Sequence, residues 1–243
     1  MFINRCSLLY LSLTEHHRER PIICRFMKIT FFGHSAVKIE GKKTLYIDPF
    51  FRNNPITEIS PDQIEAADIV VATHDHADHI GDSYEICKKT NALFVGIHEI
   101  AVEAEEIGVR SAGMNIGGTI NIEDVLIHMV QAIHSSTKSD AAGVVIETEG
   151  VTMYHAGDTG LFGDMRLIGE FFDIDLAFLP IGDRYTMGTK SAVKAVEFLR
   201  PKRVIPIHYN TFPIIKTDPN DFKELVGNLA EVIILSPGES LDL

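Results

Sequence analysis

The stretch from Ile69 to Gly81, Ile-Val-Val-Ala-Thr-His-Asp-His-Ala-Asp-His-Ile-Gly, restricts the possible folds more than any other part of the chain. An apolar, β-branched run that ends at once in His74, His76, Asp78 and His79 reads as a buried strand whose tip carries metal ligands. On extended chain His74 and His76 project to the same side and can reach one cation. Asp78 and His79 follow as the chain turns, so their side chains diverge toward a second position close by. The pattern implies two adjacent metals. The competing reading is a polar, His-rich loop capped by Asp78 ahead of a helix from Ser83. Histidines rarely cluster behind a hydrophobic strand without a reason, which favours the metal reading.

Three further sites share that logic. His134, Asp158 and His208 each follow an apolar run and precede turn-forming residues, positions that bring distant side chains to one rim of a sheet. His208 has the strongest context, behind Val-Ile-Pro-Ile. His128 lies within a strand pattern and reads as packed or solvent-facing. His155, three residues before Asp158, reads as a residue that orients a ligand by hydrogen bonding. His16, His17 and His98 have no motif context and read as solvated.

In chain order, short alternating runs at Lys28–Phe32, Ala36–Glu40 and Thr44–Ile47 form a hairpin signature. Phe50–Ser60 reads as a loop leaving the sheet, a place for a substrate-facing flap. A helix is expected at Ser83–Lys89, a strand at Ala92–Gly96, and a helix at His98–Ile107 closed by Gly108. Strands are expected at Thr119–Ile122, Val125–His134, Gly143–Glu147 and Val151–His155. They are followed by a helix at Leu161–Glu170, a strand at Ile174–Leu179, a helix at Thr189–Leu199 and a strand at Arg203–Ile207. A last helix starts at Asp218-Pro219, and Glu231–Leu235 closes the sheet. This order suits two packed sheets with helices outside, or an open doubly wound sheet.

At 243 residues with 45% hydrophobic content, the chain can bury a full core. Its net charge of −12, from 22 basic and 34 acidic residues, argues against a nucleic-acid partner. Cys6, Cys24 and Cys87 are odd in number and show no Cys-x-x-Cys spacing, which argues against a disulfide framework and a thiolate zinc site and points to a reducing, cytoplasmic setting. No run approaches the roughly 18 apolar residues of a transmembrane segment. Leu8–Leu13 is too short for a signal peptide, and the charged stretch after it lacks a small-residue cleavage site. The expectation is an N-terminal extension over residues 1–26, weakly ordered or preceding a natural start at Met27, and a single domain over 27–243. No motif identifies an oligomer interface, and the acidic surface does not forbid a homo-oligomer.

The His-x-His-x-Asp-His signature resembles that of the metallo-β-lactamase superfamily. Gly33-His34-Ser35, Ile47-Asp48-Pro49, His155-Ala-Gly-Asp158-Thr-Gly160, Pro180-Ile-Gly-Asp183 and Pro206-Ile-His208-Tyr-Asn210 resemble, in that order, a group of metal-dependent hydrolases. That group is related to ascorbate-6-phosphate lactonases and to N-acyl-phosphatidylethanolamine-hydrolysing phospholipase D. The resemblance runs from Met27 to the C-terminus and implies a four-layer αββα sandwich.

It also implies a division of labour. His74, His76 and His134 would hold one metal, Asp78, His79 and His208 the other, and Asp158 would bridge them. Zn2+ is the default, with Mn2+, Fe2+, Ni2+ and Co2+ also suited to imidazole and carboxylate ligands. A metal-bridging hydroxide, positioned by Asp78, would attack a carbonyl or phosphorus centre and cleave a phosphoester, phosphodiester or lactone in a small-molecule or lipid-like substrate. His34, Asp48, Asp183 and Asn210 match motifs but have open roles, in the substrate pocket or in loop support. A diiron redox protein of the same fold would usually carry Glu at position 76 and a flavin domain. A metal-binding protein without turnover is a third class, and the acidic charge disfavours a ribonuclease.

Overall fold

The computed structural model describes residues 27–243. The expected extension over residues 1–26, with Cys6, Cys24, His16 and His17, lies outside the described residues. The first half carries β1 (Lys28–Gly33), β2 (Ala36–Glu40), β3 (Thr44–Ile47), β4 (Ile69–Val71), α1 (Ala77–Ile80), α2 (Ser83–Thr90), β5 (Leu93–Ile97), α3 (His98–Glu106) and β6 (Ser111–Met114). The second carries β7 (Thr119–Ile122), β8 (Val125–Gln131), β9 (Ala142–Thr148), β10 (Val151–His155), α4 (Met165–Phe171), β11 (Leu176–Pro180), α5 (Thr189–Leu199), β12 (Arg203–Ile207), α6 (Pro219–Val226) and β13 (Glu231–Val232). A last strand, β14 (Ser240–Asp242), returns to the first sheet.

Two seven-stranded sheets result, ordered β14-β1-β2-β3-β4-β5-β6 and β13-β12-β11-β10-β9-β8-β7. Their strands alternate as a pleat requires. On β9, β11 and β12 the residues Val144, Ile146, Leu176, Phe178, Ile205 and Ile207 join a core shared with Ile29, Phe31 and Val71 of the first sheet. Their neighbours Val145, Ala177, Leu179 and Val204 face the other way and pack with residues of α4, α5 and α6. On α5 the buried residues Ala192, Ala195, Val196 and Leu199 recur at helical spacing and form one apolar stripe. Asp218 caps α6 by accepting from the Asn220 amide at 2.9 Å, with Pro219 at the first helical position. The architecture is the expected αββα sandwich, not an open doubly wound sheet.

Strand direction decides where function can sit. β3, β4, β5 and β6 are mutually parallel, and β1 runs the same way because it is antiparallel to β2, which is antiparallel to β3. In the second sheet β10, β11, β12 and β13 are parallel, and β8 shares their direction through antiparallel β9. Main-chain hydrogen bonds from Ala142 to Thr73 (3.0 Å) and from His208 to His34 (2.6 Å) tie the two halves together at the strand ends.

Some expectations need correction. The strand expected to reach His134 stops at Gln131, so His134 stands on irregular chain. The helix expected from Leu161 begins at Met165, after exposed Gly163 and Asp164. The start of Phe50–Ser60 is pinned to the fold: Phe51 is buried, and the Phe51 and Arg52 amides both donate to Asp82 Oδ2 at 2.9 Å. Asn54 closes the same loop by donating to the Phe50 carbonyl.

Candidate active site

Seven of the chemically reactive residues leave the C-terminal ends of strands that share one direction within their sheet. His34 follows β1, Asp48 follows β3, His74 and His76 follow β4, His134 follows β8, Asp158 follows β10 and His208 follows β12. Asp78 and His79 sit on α1, the single turn that continues the β4 loop. Within the bent loop after β4, His74 and His76 turn to one group of ligand atoms while Asp75, between them, turns to Ser136, Thr137 and Lys138.

The ligand-type atoms of these residues form three interlocking groups, in each of which every atom lies within 4.8 Å of the others: His74, His76 and His134; His34, Asp78, His79 and His208; and His74, His79 and Asp158. Asp158 stands at the centre, with Oδ1 3.2 Å from His79 Nε2 and Oδ2 3.1 Å from His208 Nε2 and 3.5 Å from His134 Nε2. His74 Nε2 and His76 Nδ1 are 3.0 Å apart. His79 Nε2, Asp158 Oδ1 and His208 Nδ1 are buried without a hydrogen-bond partner among the described residues. Such orphaned atoms are costly unless something else satisfies them. A donor set of imidazoles and carboxylates with converging free lone pairs fits divalent transition metals.

Hydrogen bonds around the cluster set its tautomers. Asp48 is fully buried, in the left-handed region at φ 48°, and accepts from the Thr73 amide (2.8 Å), the Thr73 hydroxyl (2.7 Å) and His79 Nδ1 (2.8 Å). Because the Thr73 hydroxyl donates to Asp48, it accepts from His74 Nδ1 at 3.1 Å. His74 is thereby left with its Nε2 lone pair turned toward the cluster, and Asp48 fixes the His79 ring so that Nε2 points the same way. His34 Nε2 donates to Asp78 Oδ2 at 3.1 Å, and its Nδ1 pairs with the Thr211 hydroxyl at 2.9 Å.

The charges follow from burial and neighbours. Burial holds the His74 imidazole down to about 3 and that of His34 down to about 4, so both are neutral near pH 7. Burial also opposes charge on His79, but Asp158 and Asp48 on its two nitrogens outweigh it and raise its pKa well above the ordinary value. Asp158 and Asp78 are held below the usual carboxylate range. In Asp158 the pull of His79 and His208 overcomes burial; in Asp78 the His34 hydrogen bond and the His79 charge do so.

Other sequence candidates fall nearby or outside. His155 does not touch a converging group: its Nε2 donates to the Ser35 carbonyl (3.0 Å) and its Nδ1 accepts from the Gly157 amide (3.2 Å), fixing the turn before Asp158. Asp183 and Asn210 are exposed and close loops instead of joining the cluster. His98 is exposed, and His128 bridges Thr119 and Glu147 on the sheet face. Two participants lack a sequence motif. Thr73 relays Asp48 to His74, and Asp75 accepts from the Ser136 hydroxyl and from the Thr137 and Lys138 amides (2.7 Å each), anchoring the loop that carries His134.

The cluster floors a cavity of about 480 Å³, where His34, His76, Asp78, His134, Asp158 and His208 meet the walls. Those walls are apolar: Phe212, Ile214 and Ile215 from the loop after β12, and Tyr185 from the loop after β11, with Ser135 at one side.

Comparison with known proteins identifies the family. Residues 43–209 match the beta-lactamase superfamily domain. The UPF0173 metal-dependent hydrolase of Methanosarcina barkeri is 47% identical over 228 residues, covering 89% of this chain and 99% of the relative. That of Pyrococcus furiosus is 47% identical over 225 residues, covering 89% and 100%. Among solved structures, the metallo hydrolase Igni18 of Ignicoccus hospitalis is 42% identical with a TM-score of 0.85, covering 90% of this chain and 98% of its own. On this evidence the chain belongs to the metallo-β-lactamase superfamily and, within it, to the UPF0173 metal-dependent hydrolases.

Proposed function

We propose that this metal-dependent hydrolase uses two divalent cations, zinc by preference, to cleave a phosphoester, phosphodiester or lactone. The carrying observation is the meeting of ligand atoms from both sheets around Asp158, with His79 Nε2 and Asp158 Oδ1 buried, 3.2 Å from each other and outside hydrogen-bond geometry. His74, His76 and His134 would hold one ion, Asp78, His79 and His208 the other, and Asp158 would face both. The ions would supply the acidity that makes water nucleophilic near neutral pH and positive charge for the oxygen that becomes negative in the transition state.

The chain's own groups do the rest. Asp78, ionised and partly open to the cavity, holds a carboxylate where a water molecule can donate to it, while His34 fixes its orientation. Phe212, Ile214 and Ile215 exclude bulk water and receive the apolar part of a substrate. Among the described residues no helix is long and apolar enough to cross a membrane.

The test is metal analysis joined to a substrate panel. Protein loaded with zinc or manganese is offered phosphomonoesters, phosphodiesters, lactones and thioesters. Two ions per chain and turnover of at least one ester class are expected, with turnover abolished in His76→Ala and Asp158→Ala. Metal-independent activity that survives in both variants removes the reading.

A further inference from the structure

A second recess of about 470 Å³ adjoins the active-site cavity, and Ile214 belongs to the walls of both. Two loops build it, each tied to a residue of the cluster. In the loop after β11, the Asp183 amide donates to the Met187 carbonyl (3.0 Å), and the Met187 amide donates to Thr159, the neighbour of Asp158 (2.9 Å). In the loop after β12, just past His208, the Asn210 amide donates to the Ile215 carbonyl (3.0 Å) and its side-chain oxygen accepts from the Thr217 amide (2.8 Å). Asp183, Arg184 and Asn210 hold left-handed backbone at φ 58°, 50° and 59°. The loops meet at Gly182, where a Cβ would stand 2.2 Å from the His208 carbonyl oxygen. No other residue permits that approach. Chain strained and pinned in this way is expected where it positions something.

What it positions is positive charge. Arg184 and Lys216 line the recess with Thr189 and Thr217. Neither Arg184 nor Lys216 has a carboxylate partner among the described residues; Lys190 and Lys223 have none either, and what sets the pair apart is that both line one recess beside the cluster. Arg184 lies 5.8 Å from the ring centre of Tyr185, a wall of the active-site cavity. Asp183 adds one negative charge, so the recess stays cationic on a chain of net charge −12. Two cationic residues and two threonines around one space suit a tetrahedral dianion better than a planar carboxylate, which a single guanidinium can satisfy.

We propose that this recess binds a phosphoryl group of the substrate, remote from the bond that is cleaved. The inference rests on the hydrolase reading of the adjoining cluster. It defines the substrate class as a molecule with an ester-type bond at the cluster, an apolar stretch along Ile214 and a terminal phosphoryl group between Arg184 and Lys216. Binding energy at that remote group would orient the reacting bond.

The experiment titrates inorganic phosphate into zinc-loaded protein by calorimetry at low ionic strength, for the parent, Arg184→Gln/Lys216→Gln and His76→Ala. The expected result is at least about ten-fold weaker phosphate binding in the double variant, at unchanged zinc content and melting temperature, with binding retained in His76→Ala. Unchanged affinity in the double variant, or loss in His76→Ala alone, places the phosphate on the metals and overturns the proposal. A parallel arm uses phosphatidylcholine vesicles with and without phosphatidic acid. Retention on the acidic vesicles alone, lost in the double variant and without binding of free phosphate, keeps the phosphoryl subsite and assigns it to a lipid headgroup. No binding in either arm overturns it. Phosphate binding that depends on Arg184 and Lys216 in a protein that turns over no ester refutes the hydrolase reading and leaves the subsite standing.

Discussion

Asp48 Oδ2 lies 2.8 Å from His79 Nδ1 and 2.7 Å from the Thr73 hydroxyl, so one fully buried carboxylate governs an imidazole in each half of the cluster. It acts on His79 directly and on His74 through Thr73. Removing it in Asp48→Ala leaves the buried Thr73 donors unsatisfied, at a cost of about 2–4 kcal/mol. Asp48→Asn separates structure from function. Its amide oxygen can still accept from Thr73, but its NH2 would face His79 Nδ1 and force the proton onto Nε2. The expected outcome is a folded variant with metal affinity lower by about 10- to 100-fold, measured by zinc titration beside thermal unfolding. Parental affinity in Asp48→Asn contradicts the relay.

Asp75 makes a prediction on the other ligand group. It accepts three hydrogen bonds from Ser136, Thr137 and Lys138, next to the His134 that completes the group with His74 and His76. In Asp75→Ala the loop loses its anchor and His134 its position. If each chain holds two ions as proposed, metal content should fall toward one, with a modest fall in melting temperature because the loop is largely exposed. Asp75→Glu, which keeps the charge at a longer reach, should restore part of the second ion. Full occupancy in the alanine variant counts against the anchor.

These two residues also show where sequence reading stops. Ligand-type residues behind apolar runs were legible because a strand end is a local pattern, and the common direction of β1, β3 and β4 in one sheet and of β8, β10 and β12 in the other then brings them to one edge. Asp75 was hidden because its partners lie more than sixty positions away. The edge strand β6, Ser-Ala-Gly-Met, has no strand-like composition and exists through its pairing with β5. β14 is likewise defined by its register, Ser240 opposite Thr30, and not by its own residues. His34 and Asp48 were legible as motif members, but their roles depend on left-handed turns at φ 57° and 48° that only coordinates reveal.

Gly157 precedes Asp158 in a left-handed turn at φ 57°, where a Cβ would stand 2.7 Å from the Ala142 carbonyl oxygen and 2.9 Å from Thr73 Cβ. Gly157→Ala must strain the turn or move it, at about 2–4 kcal/mol, or roughly 5–15 °C in melting temperature for a chain of this size. Because Asp158 would face both ions, the variant should lose both together, unlike Asp75→Ala. Metal analysis after gel filtration distinguishes the two patterns.

Stripped of metal, the protein should show a stability profile set by its buried titratable groups. Burial holds His74 down to about 3 and His34 down to about 4, from an ordinary 6.5. For these two the unfolded chain takes up protons first, so they leave stability untouched above 6.5 and erode it as pH falls toward about 4. His79 acts in the opposite sense. Burial disfavours its charge, but Asp158 and Asp48 raise its pKa well above 6.5, so its stabilisation is complete below 6.5 and is lost as pH rises through the raised value. Asp48 and Asp158 are held below their ordinary 3.8 by His79 against the effect of burial, and they add losses only at pH values below 3.8. The melting temperature of chelator-treated protein should therefore peak near 6.5 and fall on both sides, with the acid limb starting well above the pH at which carboxylates protonate. Zinc should flatten that limb down to the pH of its release, since bound imidazoles cannot take up protons. A scan from about pH 4 to about pH 9 decides it. A profile flat between about 4.5 and 6.5 in the stripped protein would mean that His34 and His74 are not buried in their neutral forms.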